Sequence, residues 1–589
     1  MGAKKDITTL LKRFDLSGQT PLLIQAVLIG LLAGFLDVLF RSALDYVRKT
    51  IFLGGWTLLR IEKGGWRMLL IPLLPMAGAV LLIPFSLRFG KDINGYGFPG
   101  FLETVNLHNA RLKLRNFFLK IIGPALTIGS GGSAGVEGPM AILGGTAGSA
   151  IGRIFGASRE RMRLLVAAGA AGAIAATFNA PIAGVMFATE IVLVGNFEVS
   201  SFAAAIIASG LATAVSQAVY GTHPAFEIAQ YHLARPAWVT FAEIPFYANL
   251  GAISGVLAVV YIRVFHGTRS VFDRMGINKQ LKPILGALLV GAIGILAPRV
   301  MGNGYDSIQD CLSGKIIWGT MAILIMAKIA ATSITLGSGG AGGVFAPALF
   351  IGAMLGSSYG RLAGMIMPGV SPGSYATVGI GAFLAAATHA PMTGIFLIFE
   401  MTGHDPRLIV PLMTASIIAT LVSKRLEANS IDTYELRRRG VRIHMGKEAA
   451  IMNGIKAADV MRTRFISFPE DTPASELMEA MVRNNAWDVP LTGAGGRMTG
   501  IISLKDLTDL VFDEELKSGV KAGDLAARDV IVALPEENLN MVIEKFSLKD
   551  LGNIPVVDPA DHGMVLGMLS RRDVLAAYEK QVLKRIEPV

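Results

Sequence analysis

Long apolar stretches separated by short polar breaks run from about residue 21 to 423, and ordinary mixed sequence follows. The clearest stretches are 68–87, 202–220, 248–265, 284–297, 316–331 and 408–422. A helix needs about 20 apolar residues to cross a bilayer, so this region predicts many crossings. Several stretches are shorter, or are interrupted by glycine or proline, as expected where backbone lines a polar cavity inside a membrane. The stretch 21–47 follows the basic terminus MGAKKDITTLLKRFD and lacks an early small-residue cleavage site. It therefore reads as a first membrane helix and not as a cleaved signal. Lys424, Arg425, Arg437, Arg438, Arg439 and Arg442 cluster just after the last apolar stretch. They read as a solvated juxtamembrane face, and the positive-inside tendency places both termini in the cytoplasm of a cell inner or plasma membrane. Residues 441–456 read as a linker, and 457–589 as soluble αβ sequence.

Composition agrees with that division. Of 589 residues, 52% are hydrophobic, only 17% are charged and 68 are glycine. Soluble proteins carry about 25% charged residues and about 7% glycine. A disordered chain, a collagen and an ordinary cytosolic enzyme are excluded. The net charge of +10 fits basic cytoplasmic loops, because no dense basic patch with aromatics points to nucleic acid. Cys311 is the only cysteine, so neither an intrachain disulfide nor a Cys/His metal site is expected.

The membrane half is duplicated. GSGGSAGVEGP at 129–139 and GSGGAGGVFAP at 337–347 agree at seven of eleven positions, and TFNAPIAGVMFATE at 177–190 pairs with ATHAPMTGIFLIFE at 387–400. The offsets are 208 and 210 residues. A repeat of this length in a membrane protein builds two halves around a central site. Three glycine-rich turns, at 95–99, 135–139 and 342–347, each precede an apolar helix. Glycine lets backbone approach closely, proline fits the first helical turn, and free N–H groups at a helix start attract anions. Three such ends predict a site that holds an anion without a full cation. Glu137 stands alone in this uncharged setting. It can compete with the anion for the same N–H groups and release them when protonated, which makes it a candidate gate and proton carrier.

These residues resemble the CLC family of chloride channels and chloride/proton antiporters. GYGFP at 95–99 is similar to the family's GSGIP, GVEGP at 135–139 to GREGP, and GGVFAP at 342–347 to GxFxP; FNAPIAG and HAPMTG also fit. The resemblance runs from about residue 20 to 440, within a membrane domain at 1–440. It implies an all-α polytopic fold with inverted-repeat halves and many short, broken helices, a homodimer with two pores, and transport that needs no cofactor. It further implies that Glu137 is the gating glutamate, and that backbone at Gly97, Phe98, Val344 and Phe345 helps coordinate the anion.

Three positions depart from the family. Its GSGIP serine is Tyr96 here. Its anion-contacting tyrosine falls on Asp432 by position, with Tyr434 two residues on as a weak substitute; Tyr96 can supply the phenol instead. The inner proton-relay glutamate falls on Ile191, next to Glu190, for which a structural role is the better reading. Glu137 favours proton exchange, and Ile191 favours the alternative of a passive, voltage-gated type of channel.

The tail is also duplicated, at 457–513 and 523–581. GIISLKDL at 500–507 matches GMLSRRDV at 567–574. Ser503 with Asp506, and Ser570 with Asp573, have capping-box spacing. The repeat resembles a CBS-domain pair. That resemblance implies an adenine nucleotide (ATP, ADP or AMP) as regulatory ligand, with serine near phosphate and aspartate near ribose. Backbone around Arg464, Phe465 and Ile466, and around Val530 and Ile531, would frame the base. A pair that binds no nucleotide is the other possibility. An enzyme is not expected, since no Walker A loop, zinc motif or nucleophile elbow occurs. A nucleotide sensor merely anchored in the membrane is the remote alternative, and the duplication around Glu137 argues against it.

Overall fold

A computed structural model describes residues 20–586 apart from 195–198, 223–225, 227–236, 368, 404, 442–451, 453, 494, 508–518 and 549–551. The basic N-terminal stretch, Arg442, most of the 441–456 linker and residues 508–513 of the first tail repeat lie outside the described residues. Two compact units divide between residues 443 and 444.

The first unit is all helical among the described residues. Among the described residues, eight helices are long and apolar enough to cross a membrane, Arg159–Phe178, Trp318–Gly337 and Phe345–Ile366 among them. Shorter apolar helices, such as Asn116–Gly129, Pro181–Val192 and Pro391–Met401, lie between them. The Glu137–Ile154 and Phe345–Ile366 helices are buried over most of their circumference, so their apolarity faces protein rather than lipid. Glycine makes that burial possible. A Cβ on Gly144 would lie 2.1 Å from the Gly169 carbonyl oxygen, and a Cβ on Gly352, its repeat mate, 2.5 Å from that of Gly379.

The two halves exchange reciprocal contacts, as a twofold axis requires. Gly135 and Gly343 each donate a backbone hydrogen bond of 2.7 Å to the other's carbonyl. Ser133 N donates to Thr335 Oγ1 at 3.1 Å, and Ala341 N to Thr127 Oγ1 at 3.0 Å. The same exchange caps two helices. Glu400 accepts from Ile182 N and Ala183 N at 3.0 and 2.7 Å, at the start of the Pro181–Phe187 helix. Glu190 accepts from Met392 N and Thr393 N at 3.2 and 2.8 Å, at the start of Pro391–Met401. A carboxylate at a helix N-terminus satisfies its free N–H groups and complements its dipole. Glu190 is thus engaged by the opposite half.

Among its described residues, the second unit contains two small sheets. β1 (Phe468–Pro469) pairs parallel with β2 (Asp488–Thr492), which pairs antiparallel with β3 (Met498–Ser503). β4 (Asn553–Val557) pairs antiparallel with β5 (Val565–Ser570). Val489 opposite Ile502, and Ile554 opposite Leu569, put matching residues of the two repeats into two apolar cores.

Candidate functional site: two tyrosine–carboxylate pairs in the membrane unit

The reciprocal Gly135–Gly343 bonds bring the Glu137 and Phe345 helix starts back to back. Val136 and Val344 are their N-cap residues, and neither makes a side-chain cap. Glu137 is fully buried. Its Oε1 accepts a 2.7 Å hydrogen bond from the Tyr305 hydroxyl, while Oε2 has no hydrogen-bond partner. The side chain folds back over its own loop, so a Cβ on Gly135 would lie 2.1 Å from Oε2. Only glycine fits there. A charge at the bilayer centre costs roughly 2.5–3.5 kcal/mol on insertion scales, and among the described residues no ion pair offsets it here.

Tyr96 approaches from another direction. It precedes the Phe98–Asn106 helix, whose N-cap is Gly97. A Cβ on Gly138 would lie 3.6 Å from the Tyr96 ring, while the Tyr96 hydroxyl donates to Asp432 Oδ1. Asp432 is 1% exposed, and its Oδ2 has no partner. The turn that carries it is pinned on both sides: Ile431 N donates to Ala387 O at 2.9 Å, and Ile431 O lies 3.0 Å from His266 Nε2. Tyr434 stacks on His266, with ring centroids 4.4 Å apart, while Asp432 holds the Tyr96 hydroxyl.

An aromatic wall joins these groups. Tyr96 meets Phe98 at 6.3 Å, Phe98 meets Phe187 at 6.0 Å, and Phe187 meets Phe345 at 5.6 Å between centroids. Ring edges carry partial positive charge, so such a wall tolerates an anion at its rim. The Tyr261 hydroxyl donates to Val344 O at 3.4 Å. A small cavity of about 10 Å³ is lined by Gly97, Phe98, Gly138, Pro139, Gly342 and Lys120, among others. All three glycine-rich turns converge on it. Ile191 is buried and apolar, in the wide turn Ala188–Val192.

The expectation of an anion site free of cations needs correction. Lys120 Nζ would lie 3.1 Å from a Cβ on Gly97, although it donates to Asp92 O at 2.7 Å. Lys328, fully buried, donates to Val300 O and Gly302 O at 2.9 and 3.0 Å. Each ammonium braces the loop that delivers a site tyrosine, because buried carbonyls need donors. Tyr305 and these lysines escaped the sequence reading. The signal was present: Asn94-Gly95-Tyr96 recurs as Asn303-Gly304-Tyr305, and Lys120 recurs as Lys328, at offsets of 209 and 208 residues.

In the tail, the two sequence-predicted boxes form. Ser503 Oγ donates to Asp506 Oδ2 at 2.9 Å, and Ser570 Oγ to Asp573 Oδ2 at 2.6 Å. Each motif borrows a strip of the other repeat. Arg462 exchanges backbone hydrogen bonds with Met568, and Ala527 with Ile501. Arg462 also pairs with Asp573 at 2.6 Å. The strip leading to Arg464, Phe465 and Ile466 therefore runs beside Ser570 and Asp573, and the one leading to Val530 and Ile531 beside the strand of Ser503.

Comparison with known proteins bears on both units. Residues 78–424 match the family model for voltage gated chloride channels, and 457–513 and 522–580 match that for the CBS domain. A putative chloride channel protein, ClcB-like, of Ralstonia nicotianae is 33% identical over 429 residues, which are 70% of this chain and 96% of the relative. The H(+)/Cl(−) exchange transporter ClcA of Vibrio parahaemolyticus is 31% identical, over 73% of this chain and 92% of its own length. The crystal structure of a slow cyanobacterial Cl−/H+ antiporter superposes with a TM-score of 0.65 at 25% identity, covering 72% of this chain and 99% of that one.

Proposed function

The chain belongs to the voltage gated chloride channel family and carries a CBS-domain pair, and from that premise we propose that it transports chloride across a membrane in exchange for protons, with Glu137 as gate and proton carrier. One observation carries this reading: the fully buried Glu137 carboxylate sits at a helix start, where it accepts from the Tyr305 hydroxyl and lies against the backbone N–H groups of Glu137 and Ala346. There the ionised side chain occupies ground that an anion would take. A proton removes its charge, frees the helix N–H groups, and links chloride entry to proton uptake. Gly97, Phe98, Val344 and Phe345 contribute backbone to the anion path, and Tyr96 the phenol. Two copies pair as a homodimer with separate paths.

The buried Ile191 favours a second reading, a passive channel, because it offers no carboxylate on the family's inner proton route. Purified protein in liposomes separates the two. An imposed chloride gradient drives protons uphill in an exchanger. Chloride flux without proton movement leaves the channel.

The tail acts as an adenine-nucleotide sensor. Ser570, Asp573 and the Arg464–Ile466 strip form one half-site, and Ser503, Asp506 and the Val530–Ile531 strip the other. A nucleotide shifts transport only if it binds two conformations unequally. Titration of ATP into the whole protein, with flux as a second readout, tests it.

A further inference from the structure

The Tyr305–Glu137 pair has a partner pair in the other half of the repeat. Tyr96 and Tyr305 occupy the same position of the duplicated Asn-Gly-Tyr turn. Each phenol donates to a buried carboxylate: Tyr305 to Glu137 and Tyr96 to Asp432. Each carboxylate keeps its second oxygen buried without a hydrogen bond. The match is functional and not positional, because Phe345 stands where a repeat-related glutamate would be. Asp432 supplies the second carboxylate from the turn after the last long helix.

We infer that Asp432 is a second proton-carrying gate, which takes up a proton when chloride displaces it from the Tyr96 hydroxyl. This rests on the reading of the membrane unit as a chloride path. Two anions cannot share one phenol donor, since like charges at contact disfavour the doubly charged state. Entry of Cl⁻ therefore requires an O–H bond to form at Asp432, with hydronium giving up the proton and becoming water. The Tyr96 O–H then turns from Asp432 Oδ1 to chloride. Departure of chloride reverses both changes, so charge and atoms balance. The titratable groups around Asp432 are Tyr96, which holds it, Tyr261, which interacts electrostatically with both Asp432 and Glu137 while its hydroxyl donates to Val344 O, and His266, which engages the adjacent Ile431 carbonyl. No cation pairs with Asp432 among the described residues. A proton is thus the simplest source of neutralisation, and Asp432 fills the chemical role that Ile191 leaves vacant.

Calorimetric chloride titration of the purified whole protein, in buffers of differing ionisation enthalpy, counts protons taken up per chloride bound. Wild type is expected to take up more protons than Asp432→Asn by about one where Asp432 titrates. Glu137→Gln should retain the Asp432 share. Equal uptake by wild type and Asp432→Asn overturns the inference. If Asp432→Asn does not fold, Tyr96→Phe replaces it: removal of the shared donor uncouples Asp432 and lowers uptake, and unchanged uptake overturns the inference. Wild type that neither binds nor transports chloride fails the underlying reading instead. Chloride flux without proton flux fails only the exchange part of that reading, and the binding titration still decides on Asp432.

Discussion

The two halves of the membrane unit share a backbone plan and differ in where they keep their charge. The reciprocal bonds between Gly135 and Gly343, the crossed caps of Glu190 and Glu400, and the bracing lysines Lys120 and Lys328 are the same device used twice. At the helix starts the symmetry breaks: the first half has Glu137 and the second Phe345. The two frames match in backbone, and Glu137 opposite Phe345 makes them unequal in charge. A symmetric pair of carboxylates facing one path would repel each other. The observed arrangement keeps one carboxylate at the helix start and sets the other, Asp432, in a separate turn on a different tyrosine.

The largest expected effect comes from erasing the charge that distinguishes the halves. Glu137→Gln should lower coupled proton flux at least about 100-fold, the lower range of what a positioned acid–base group contributes, while chloride still moves. Paired chloride and pH electrodes on proteoliposomes read both. Coupling that survives the change would remove Glu137 from its role and leave the halves chemically equivalent there.

The equivalent tyrosines sharpen the contrast, because they should respond with opposite signs. Tyr305→Phe removes a donor that favours the docked Glu137 carboxylate. A hydrogen bond to a charged group contributes about 1.5–3 kcal/mol; if about 1–2 kcal/mol of that separates docked from displaced states, chloride binds about 5–30-fold tighter. Tyr96→Phe removes a donor to chloride itself, so affinity should fall. Calorimetric titration of both variants tests this, and a shift of the same sign in both would mean that the phenols do one job.

Much of this was legible in the sequence, and the reasons for the rest are physical. The duplicated glycine-rich segments, the helix starts at Phe98, Glu137 and Phe345, and the Ser-x-x-Asp boxes of the tail are local signals, each written within a few residues. Tyr305 was missed because a short Asn-Gly-Tyr turn carries little information until its repeat mate is known to face the site. The lysines were missed because a buried ammonium that donates to backbone carbonyls has no partner that sequence can name. The Tyr96–Asp432 contact joins residues 336 positions apart, and nothing local predicts which face of its turn Asp432 presents. Asp432 matches the family's tyrosine by position, and what it offers there is a carboxylate held by the Tyr96 hydroxyl.

Smaller effects should follow from the crossed caps. Glu400→Gln and Glu190→Gln each weaken two charge-assisted bonds to a helix start, worth about 1.5–3 kcal/mol apiece at most. Melting curves in detergent should shift down by a few degrees for a loss of this order. Glu190→Gln should cost at least as much, because Glu190 also accepts from the Thr393 hydroxyl at 2.9 Å. An unchanged melting temperature with altered proton coupling would instead return Glu190 to the proton path.

The smallest expected effect separates the tail's half-sites. Burial pushes the Asp573 carboxyl up, yet the Arg462 guanidinium and the Ser570 hydroxyl outweigh it and hold the group below its ordinary range. A carboxylate whose pKa is depressed on folding contributes stability above its unfolded value, about 3.9, and loses it as pH falls through the folded value. Asp573 is therefore ionised throughout pH 5–8, and its contribution there is constant. Asp573→Ala should weaken ATP binding to the whole protein by about 5–30-fold, the worth of one or two kcal/mol, and by the same factor at pH 6 and pH 8. Asp506→Ala removes the matching residue of the other half-site, whose aspartate has no arginine partner among the described residues. If nucleotide occupies only the Arg462-braced half-site, Asp506→Ala leaves affinity unchanged. Equal losses in the two variants would show that the half-sites are used alike, and a loss confined to Asp506→Ala would show that Arg462 holds Asp573 away from the ligand.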